Sequence, residues 1–309
     1  MTEPTAQDPT AQDPTAQDIA DRGYEPTRRA QSLIEALPYI EQFRGAIVVV
    51  KFGGNAMVDP ELSKTFAEDI VLLRSVGLKP VVVHGGGPQI GELLGKLGKE
   101  SEFRDGLRVT DAETLDVARM VLVGKVGREI VGAINVHGAY AVGLSGEDGG
   151  LIRAEARNPE LGFVGDIVSV NPNIVERLLV EEMIPVISTI GSDATGQAYN
   201  INADTVAGAL AGALQAEKAI YLTDVPGLLG DVDDPASLIA QATIPELHGL
   251  IDDGTIAGGM IPKVTACIEA VEAGATAAHM LDGRVPHVLL LELFTDAGIG
   301  TKITLGDDS

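Results

Sequence analysis

Short runs of apolar residues alternate with amphipathic segments from residue 46 onward. Unbroken apolar runs are typical of buried strands, whereas apolar residues that recur every three or four positions predict helices. The predicted strands are Ile47 to Phe52, Pro80 to Val83, Ile184 to Thr189, Ala219 to Leu222 and Val288 to Leu291. The predicted helices are Glu61 to Ser75, Gln89 to Leu97, Asp111 to Val136, Asn202 to Leu214 and Lys263 to Ala273, and a hairpin-like region covers about Gly143 to Val170. This alternation predicts an α/β fold with a mostly parallel sheet covered by helices on both faces.

The chain opens with a repeat that has a different character. The unit Pro-Thr-Ala-Gln-Asp begins at Pro4, Pro9 and Pro14. A five-residue period rich in proline and acid cannot bury a hydrophobic core, so residues 1–24 are predicted to be a disordered tail.

An amphipathic segment, Thr27 to Phe43, separates this tail from the first strand. Leu33, Leu37 and Ile40 lie on one helical stripe, and Pro38 is predicted to kink or split the helix. The apolar face predicts docking, either on another subunit or on its own domain, and the periodicity favours neither.

Charge and composition narrow the classes of function. The chain carries 45 acidic and 22 basic residues, a net charge of −23, and has no Lys/Arg run, which argues against a nucleic-acid partner. Any anionic ligand must therefore be held by a few local cations, backbone N–H groups and a metal ion. The single cysteine, Cys267, excludes an intramolecular disulfide and is interpreted as a core residue. Without a signal peptide or an apolar run of about 18 residues, the predicted location is the cytoplasm, with no membrane partner.

Two glycine clusters directly follow predicted strands. Gly53 and Gly54 follow the first strand, and Gly85 to Gly87 follow the second. At the carboxyl ends of parallel strands, glycines let backbone N–H groups approach phosphate oxygens. The spacing does not match G-x-x-x-x-G-K-[ST], so the chain is not a P-loop protein. The looser spacing Gly85, Gly87, Gly91 leaves a dinucleotide-binding protein as an alternative.

Two lysines are well placed for chemistry. Lys51 lies in an apolar strand directly before a glycine pair, where a lysine is costly unless it meets an anion. Lys263 begins a helix after a glycine-rich stretch, and Asp204, at the start of another helix, could orient both lysines. Taken singly, each could equally be a solvated charge or a helix cap.

Five motifs in order carry a family resemblance: Lys51-Phe-Gly-Gly, His84-Gly-Gly-Gly-Pro, Phe103-Arg-Asp-Gly-Leu-Arg108-Val-Thr, Asn200-Ile-Asn-Ala-Asp204 and Gly258-Gly-Met-Ile-Pro-Lys263. Over about residues 27–305 the chain resembles the acetylglutamate kinases of the amino acid kinase family. The resemblance implies a three-layer αβα sandwich of two lobes plus an N-terminal helix over residues 25–45. Residues 46–215 would then bind N-acetyl-L-glutamate, and residues 216–309 would bind ATP with Mg²⁺.

The resemblance also implies residue roles. Lys51 and Lys263 match lysines that stabilise the transition state, and Asp204 matches the carboxylate that organises them. The remaining assignments are Gly86, Gly87, Arg108 and Asn200 for the acceptor substrate and Gly53, Gly54 and Asp224 for the nucleotide, with no protein ligand to a metal. The histidines are interpreted as structural, except His279.

The N-terminal helix, with Leu37-Pro38-Tyr39-Ile40, resembles the extension of hexameric, arginine-sensitive members of the family. L-arginine is therefore expected to act as a feedback inhibitor of a homo-oligomer, most simply a hexamer. The implied arginine site consists of Tyr39, Lys218, His279, Glu292 and Gly300.

Other interpretations stay open at this point. A catalytically silent metabolite sensor would keep the fold, but the presence of both lysines and Asp204 argues against it. Glutamate 5-kinase, aspartokinase and an aminoadipate-type kinase are closer alternatives, and the lack of a further domain after residue 305 disfavours aspartokinase.

Overall fold

The structure, a computed structural model, describes residues 16–104, 106–231, 233–296 and 298–306. The strands are β1 Ile47–Phe52, β2 Lys79–His84, β3 Phe103–Arg104, β4 Leu107–Arg108, β5 Ala141–Ser145, β6 Ile152–Ala156, β7 Gly165–Val170, β8 Ile184–Ser188, β9 Ile190–Ser192, β10 Ala198–Asn200, β11 Lys218–Thr223, β12 Gln241–Thr243, β13 Ala277–Asp282 and β14 Thr301–Thr304. The α-helices are α1 Ala16–Phe43, α2 Pro60–Ser75, α3 Gly87–Lys96, α4 Ala112–Arg119, α5 Gly127–Asn135, α6 Asn173–Val180, α7 Ala203–Ala213, α8 Ile244–Asp252, α9 Ile261–Glu272 and α10 Val288–Phe294. A π-helix, Met120–Val126, joins α4 to α5.

One eight-stranded sheet runs through the molecule in the order β12-β14-β13-β11-β1-β2-β8-β5. Its pairings are parallel except that between β13 and β14. Strands from residues 46–215 form one half and strands from residues 216–309 form the other, and they meet where β1 pairs with β11. A smaller sheet, β10-β9-β6-β7, and the short β3–β4 hairpin lie outside it. The predicted hairpin region therefore divides, with β5 in the large sheet and β6 and β7 antiparallel in the small one.

Alternating side chains of the central strands face two separate hydrophobic layers. Val49 belongs to the layer that contains α7 and α9, and Val48 and Val50 belong to the layer that contains α2, α5 and α10. This period of two is what a strand buried on both faces requires. The predicted three-layer αβα sandwich is confirmed.

The predicted strand Val288 to Leu291 is wrong, because these residues begin helix α10. Val288, Leu289, Leu293 and Phe294 are buried at helical spacing, whereas Leu291 is partly exposed. A four-residue apolar run fits either period, so only the packing of the following residues decides. The strands in this part of the chain are β13 and β14.

The N-terminal helix is longer than predicted and is not split at Pro38. It begins at Ala16, inside the range predicted as a disordered tail, where Ala, Gln and Arg favour helix. The rest of the predicted tail, residues 1–15, lies outside the described residues. Beyond Pro38 the helix packs against the core, with Ile40 partly buried and Phe43 buried. This packing offsets the one backbone hydrogen bond that a proline removes.

The outer face of α1 stays open, with Leu33, Ile34 and Leu37 exposed. Across the described parts of the chain, we find no helix with both the length and the apolar character needed to cross a membrane.

Candidate active site

Three charged side chains meet at the carboxyl edge of the large sheet. Lys51, near the end of β1, places its Nζ 3.0 Å from Oδ1 of Asp204. Lys263, in the first turn of α9, places its Nζ 4.0 Å from Oδ2 of the same carboxylate. Asp204 is fixed in the first turn of α7 because the side chain of Asn202 caps this helix, accepting from the N–H groups of Asp204 at 2.7 Å and Thr205 at 3.3 Å.

This cluster has a net positive charge. One carboxylate is shared by two ammonium groups, and the N-termini of α7 and α9 add the partial positive charge of their free N–H groups. In a chain with a net charge of −23, such a local concentration of positive charge is suited to an anionic ligand. Its three members come from three separate elements, so the fold is needed to assemble them.

The glycine pair after β1 lies close to two charged side chains. A Cβ at Gly53 would lie 3.0 Å from Nζ of Lys51, and a Cβ at Gly54 would lie 3.0 Å from both carboxylate oxygens of Asp224. Gly54 also has φ of +68°, in the left-handed region that favours glycine. Gly53, Gly54 and Asp224, assigned to the nucleotide by resemblance, therefore lie beside the lysine–aspartate cluster.

A cavity of about 200 Å³ adjoins the cluster. All four predicted acceptor residues line it: Gly86, Gly87, Arg108 and Asn200. Asn202 and Ala203, at the start of α7, line it as well. Sequence patterns do not identify Leu107, Leu122 and Asn202 as lining residues, although Asn202 carries a helix-cap signal directly before Asp204.

Arg108 is the cation of this cavity. Its Nη2 donates to the carbonyl oxygen of Gly87 at 2.8 Å, its Nη1 donates to Oγ of Ser101, and its guanidinium lies 4.7 Å from the ring centroid of Phe103. Burial lowers the pKa of Arg108, but a guanidinium remains charged at neutral pH. Nδ2 of Asn200 donates to Oγ1 of Thr110 at 3.4 Å. The cavity thus offers a held guanidinium fork and an amide, a combination suited to a carboxylate ligand.

A second polar cluster is buried in the other half of the molecule. Nζ of Lys218 lies 3.0 Å from Nε2 of His279, and Nδ1 of His279 lies 2.7 Å from Oε1 of Glu292. Burial lowers the pKa of both Lys218 and His279. Burial also acts to raise the pKa of Glu292, but contact with His279, the N–H of Ile299 and the charge of Lys218 lower it overall. A neutral His279 can therefore accept from Lys218 through Nε2, while its Nδ1 lies close to the Glu292 carboxylate.

The other two residues of the predicted arginine site contact neighbouring parts of the chain. The Tyr39 hydroxyl donates to Oδ1 of Asp296, which ties α1 to the segment after α10. The residue of α1 beside Lys218 is Phe43, whose ring centroid is 5.2 Å from Nζ. Gly300 packs so closely that a Cβ there would meet the carbonyl oxygen of Met280. The structure thus brings Lys218, His279 and Glu292 together and places Tyr39 against Asp296.

Residues 46–282 match the model of the amino acid kinase family. The chain belongs to this family.

Its curated relatives cover nearly the whole kinase chain. An acetylglutamate kinase of Moorella thermoacetica is 52% identical over 292 residues, covering 91% of this chain and 99% of the relative. Acetylglutamate kinases of Nostoc sp. and Corynebacterium urealyticum are 56% and 55% identical and cover 89% and 91% of this chain, and 93% and 94% of their own.

Solved structures agree on the fold. An N-acetylglutamate synthase from Neisseria gonorrhoeae, complexed with coenzyme A and N-acetyl-glutamate, matches with a TM-score of 0.79 and 26% identity. The match covers 90% of this chain and 64% of that structure. A carbamate kinase from Giardia lamblia bound to AMP-PNP matches with a TM-score of 0.63 at 19% identity, covering 85% of this chain and 99% of its own, and supports the fold alone.

Proposed function

We propose that this kinase transfers the γ-phosphoryl group of ATP to the side-chain carboxylate of N-acetyl-L-glutamate, in the cytoplasm, as a step of arginine biosynthesis. The observation that carries the proposal is the position of the Lys51–Asp204–Lys263 cluster beside a cavity containing Arg108 and Asn200. Curated acetylglutamate kinases at 52–56% identity support the same substrate. The product is an acyl phosphate.

The proposed reaction needs little proton chemistry from the protein. The acceptor carboxylate is ionised at neutral pH, so its oxygen attacks the γ-phosphorus without a general base. A new P–O bond forms as the bond to the β–γ bridging oxygen breaks, and ADP leaves with that electron pair. Catalysis then depends on in-line positioning and on charge stabilisation of the transferring group.

Different residues supply the positioning and the charge stabilisation. Lys51 and Lys263 neutralise charge on the transferring phosphoryl group, and Asp204 holds both amines within reach. The backbone N–H groups of the Gly53–Gly54 pair approach the phosphate oxygens.

The nucleotide is proposed to bind as ATP with Mg²⁺. No group of three or more His, Cys, Asp or Glu side chains within the described ranges is arranged to hold a metal ion. Mg²⁺ would therefore be held mainly by the phosphate oxygens of the nucleotide. When bound, it supplies further charge neutralisation.

Acceptor recognition is assigned to the cavity. The Arg108 fork can bind one substrate carboxylate through two parallel hydrogen bonds, and the amide of Asn200 can bind the acylated amine side of the substrate. The N–H groups of Gly86 and Gly87, at the N-terminus of α3, suit a carboxylate because they carry the helix's partial positive charge.

The test is a coupled ADP-release assay on Lys51→Ala and Lys263→Ala. Each variant should lose about 10²–10³ in kcat because a preorganised charge contact is removed. Lys64→Ala, which removes an exposed lysine of α2, is the matched control and should behave as wild type. Folded Lys51 and Lys263 variants that keep more than half of the activity would contradict the assignment.

The same assay decides between related acceptors. N-acetyl-L-glutamate should be used far better than free glutamate, aspartate or aminoadipate. Wild-type enzyme that prefers one of the free amino acids would replace the proposed substrate with that compound.

We also propose that L-arginine inhibits the enzyme at the Lys218–His279–Glu292 cluster, with Tyr39 on the border and Gly300 in the adjoining loop. The cluster supports this proposal because Glu292 offers a buried carboxylate to a cationic ligand, and the Tyr39–Asp296 contact links α1 to the same region. The exposed apolar face of α1 supports assembly into a homo-oligomer, most simply a hexamer. A ligand bridging α1 and α10 can act only through a difference in affinity between two arrangements.

This regulation is tested by titrating L-arginine into wild type, Glu292→Ala and a chain that begins at Gly45, with native mass recorded for each. Wild type should be inhibited and Glu292→Ala should not. A wild-type rate indifferent to millimolar arginine refutes the site, and a shortened chain that remains hexameric refutes the role of α1.

A further inference from the structure

His84 is a buried ionisable group that the proposed reaction does not use. It is the last residue of β2, directly before the glycine loop of the acceptor cavity, and its side chain is fully buried, at 0% exposure. Nδ1 lies 2.9 Å from the carbonyl oxygen of Gly85, and Nε2 lies 3.0 Å from Oγ of Ser188 at the end of β8. Each ring nitrogen therefore has its own polar neighbour.

These neighbours determine the tautomer. A carbonyl oxygen can only accept, so Nδ1 must carry the proton that is donated to Gly85. Burial lowers the pKa of His84 to about 4, so the ring is neutral at physiological pH and Nε2 must accept. The Ser188 hydroxyl, 3.0 Å away, has a single proton, for which the carbonyl oxygen of Leu122 at 3.2 Å is a second acceptor.

Ser188 also touches the π-helix. Its Oγ lies 3.2 Å from the carbonyl oxygen of Leu122, which accepts the N–H of Gly127. A Cβ at Gly127 would lie 3.0 Å from that carbonyl oxygen and 3.2 Å from Nε2 of His84, so any side chain there would crowd this arrangement. The side chain of Leu122 in turn closes on Gly86, where a Cβ would lie 2.7 Å from its Cδ2.

The bond to Gly85 orients a peptide of the cavity wall. In a trans peptide the carbonyl of Gly85 and the N–H of Gly86 lie in one plane and point in opposite directions, and no cis peptide is found in the described chain. His84 holds the carbonyl toward the protein interior. The N–H of Gly86, a lining residue of the cavity, therefore points away from the side to which the Gly85 carbonyl points.

We propose that His84 is a positioning residue for acceptor binding, which aims the Gly86 N–H at the acceptor carboxylate while contact with Ser188 holds the other side of its imidazole in place. This inference rests on the proposed acceptor site. It assigns His84 no contact with substrate and no proton transfer.

Three substitutions of His84 distinguish the contributions of its two ring nitrogens to acceptor binding. His84→Asn keeps a donor near the Nδ1 position, His84→Gln reaches toward Ser188 but has no donor at that position, and His84→Leu has neither. We expect KM for N-acetyl-L-glutamate to rise at least tenfold in the Gln and Leu variants and less than threefold in the Asn variant. KM for ATP should stay within twofold of wild type in all three. Calorimetric binding of N-acetyl-L-glutamate should follow the same order.

Every outcome bears on the inference. Gln or Leu variants that fold as wild type by circular dichroism and bind the acceptor within twofold of wild type overturn it, as does an equal rise of both KM values. If neither variant folds, Ser188→Ala is used instead. Its KM for N-acetyl-L-glutamate should rise about threefold, and an unchanged KM would overturn the inference. Wild-type enzyme that does not bind N-acetyl-L-glutamate refutes the proposed function instead, before any variant is compared.

Discussion

Asp69 offers the sharpest test of the electrostatics of this fold. Its carboxylate lies on α2, is only 2% exposed, and has Oδ1 placed 2.6 Å from Nδ1 of His287. The N–H of Leu289 also donates to it, so one acid holds the start of α10 against α2. Burial raises the pKa of Asp69 from 3.8 to about 6, although both partners act in the opposite direction.

The magnitude follows from linkage. A rise in the pKa of Asp69 from 3.8 to about 6 corresponds to about 3 kcal/mol of linkage free energy. Because the folded state binds this proton more tightly than the unfolded state, the stabilisation is complete below pH 3.8 and is lost as pH rises to about 6. Within the practical range from pH 4.5 to pH 7, the loss is about 2 kcal/mol.

Asp69→Asn removes this titration and keeps the shape. The amide oxygen can accept from Leu289 and the amide nitrogen can donate to His287, so the junction between α2 and α10 should survive. The unfolding free energy of the variant minus that of wild type should therefore increase by about 2 kcal/mol between pH 4.5 and pH 7.

The assay is urea unfolding at several pH values, followed by circular dichroism and by the fluorescence of the five tyrosines, since the chain has no tryptophan. Asp116→Asn, which removes one carboxylate from an exposed position of α4, is the control for a simple change in net charge. A difference between Asp69→Asn and wild type that stays constant across this pH range would refute the reasoning.

Three further predictions follow from single contacts. Arg108→Lys should raise KM for the acceptor far more than KM for ATP because the planar fork is lost, and equal rises in steady-state kinetics would remove Arg108 from the acceptor site. Gly212→Ala would place a Cβ 2.9 Å from the carbonyl oxygen of Ala273, so we expect a loss of about 1–3 kcal/mol in urea unfolding, with Gly95→Ala, which has open space, as the control. Tyr221→Phe removes the hydroxyl that donates to the carbonyl oxygen of Ala266 at 3.0 Å, which should cost about 1–2 kcal/mol and lower kcat, because α9 carries Lys263. Unchanged kcat would show that this bond does not position the lysine.

The strands that build the site were predictable because their signals are local. β1, β2, β8 and β11 are continuous apolar runs ended by glycine or polar residues, and their neighbours in the sheet are set by the crossover helices between them. The Lys51, Asp204 and Lys263 positions follow from the same logic, since each lies at the carboxyl end of a strand or in the first turn of a helix.

The error at α10 has the opposite cause. Val288 to Leu291 is a run of four apolar residues, too short for either period to dominate, and His287 before it adopts φ of +58°, which no local signal predicts for a histidine. The pairing of His287 with Asp69 joins residues 218 positions apart. Such a contact exists only after α2 and α10 have packed on the same face of the sheet.

The contacts of His84 are likewise invisible in its local sequence. As one residue of a His-Gly-Gly-Gly-Pro motif it resembles an ordinary core histidine, and the glycines alone appear to account for the loop. What distinguishes it is its contact with distant parts of the chain, because Ser188 ends β8 and Leu122 lies in the π-helix, whereas Gly85 is its direct neighbour. A glycine loop gains its freedom by losing side chains, so something outside the loop must choose one conformation from the many that glycine allows. In this kinase the imidazole of His84 is the group positioned to make that choice.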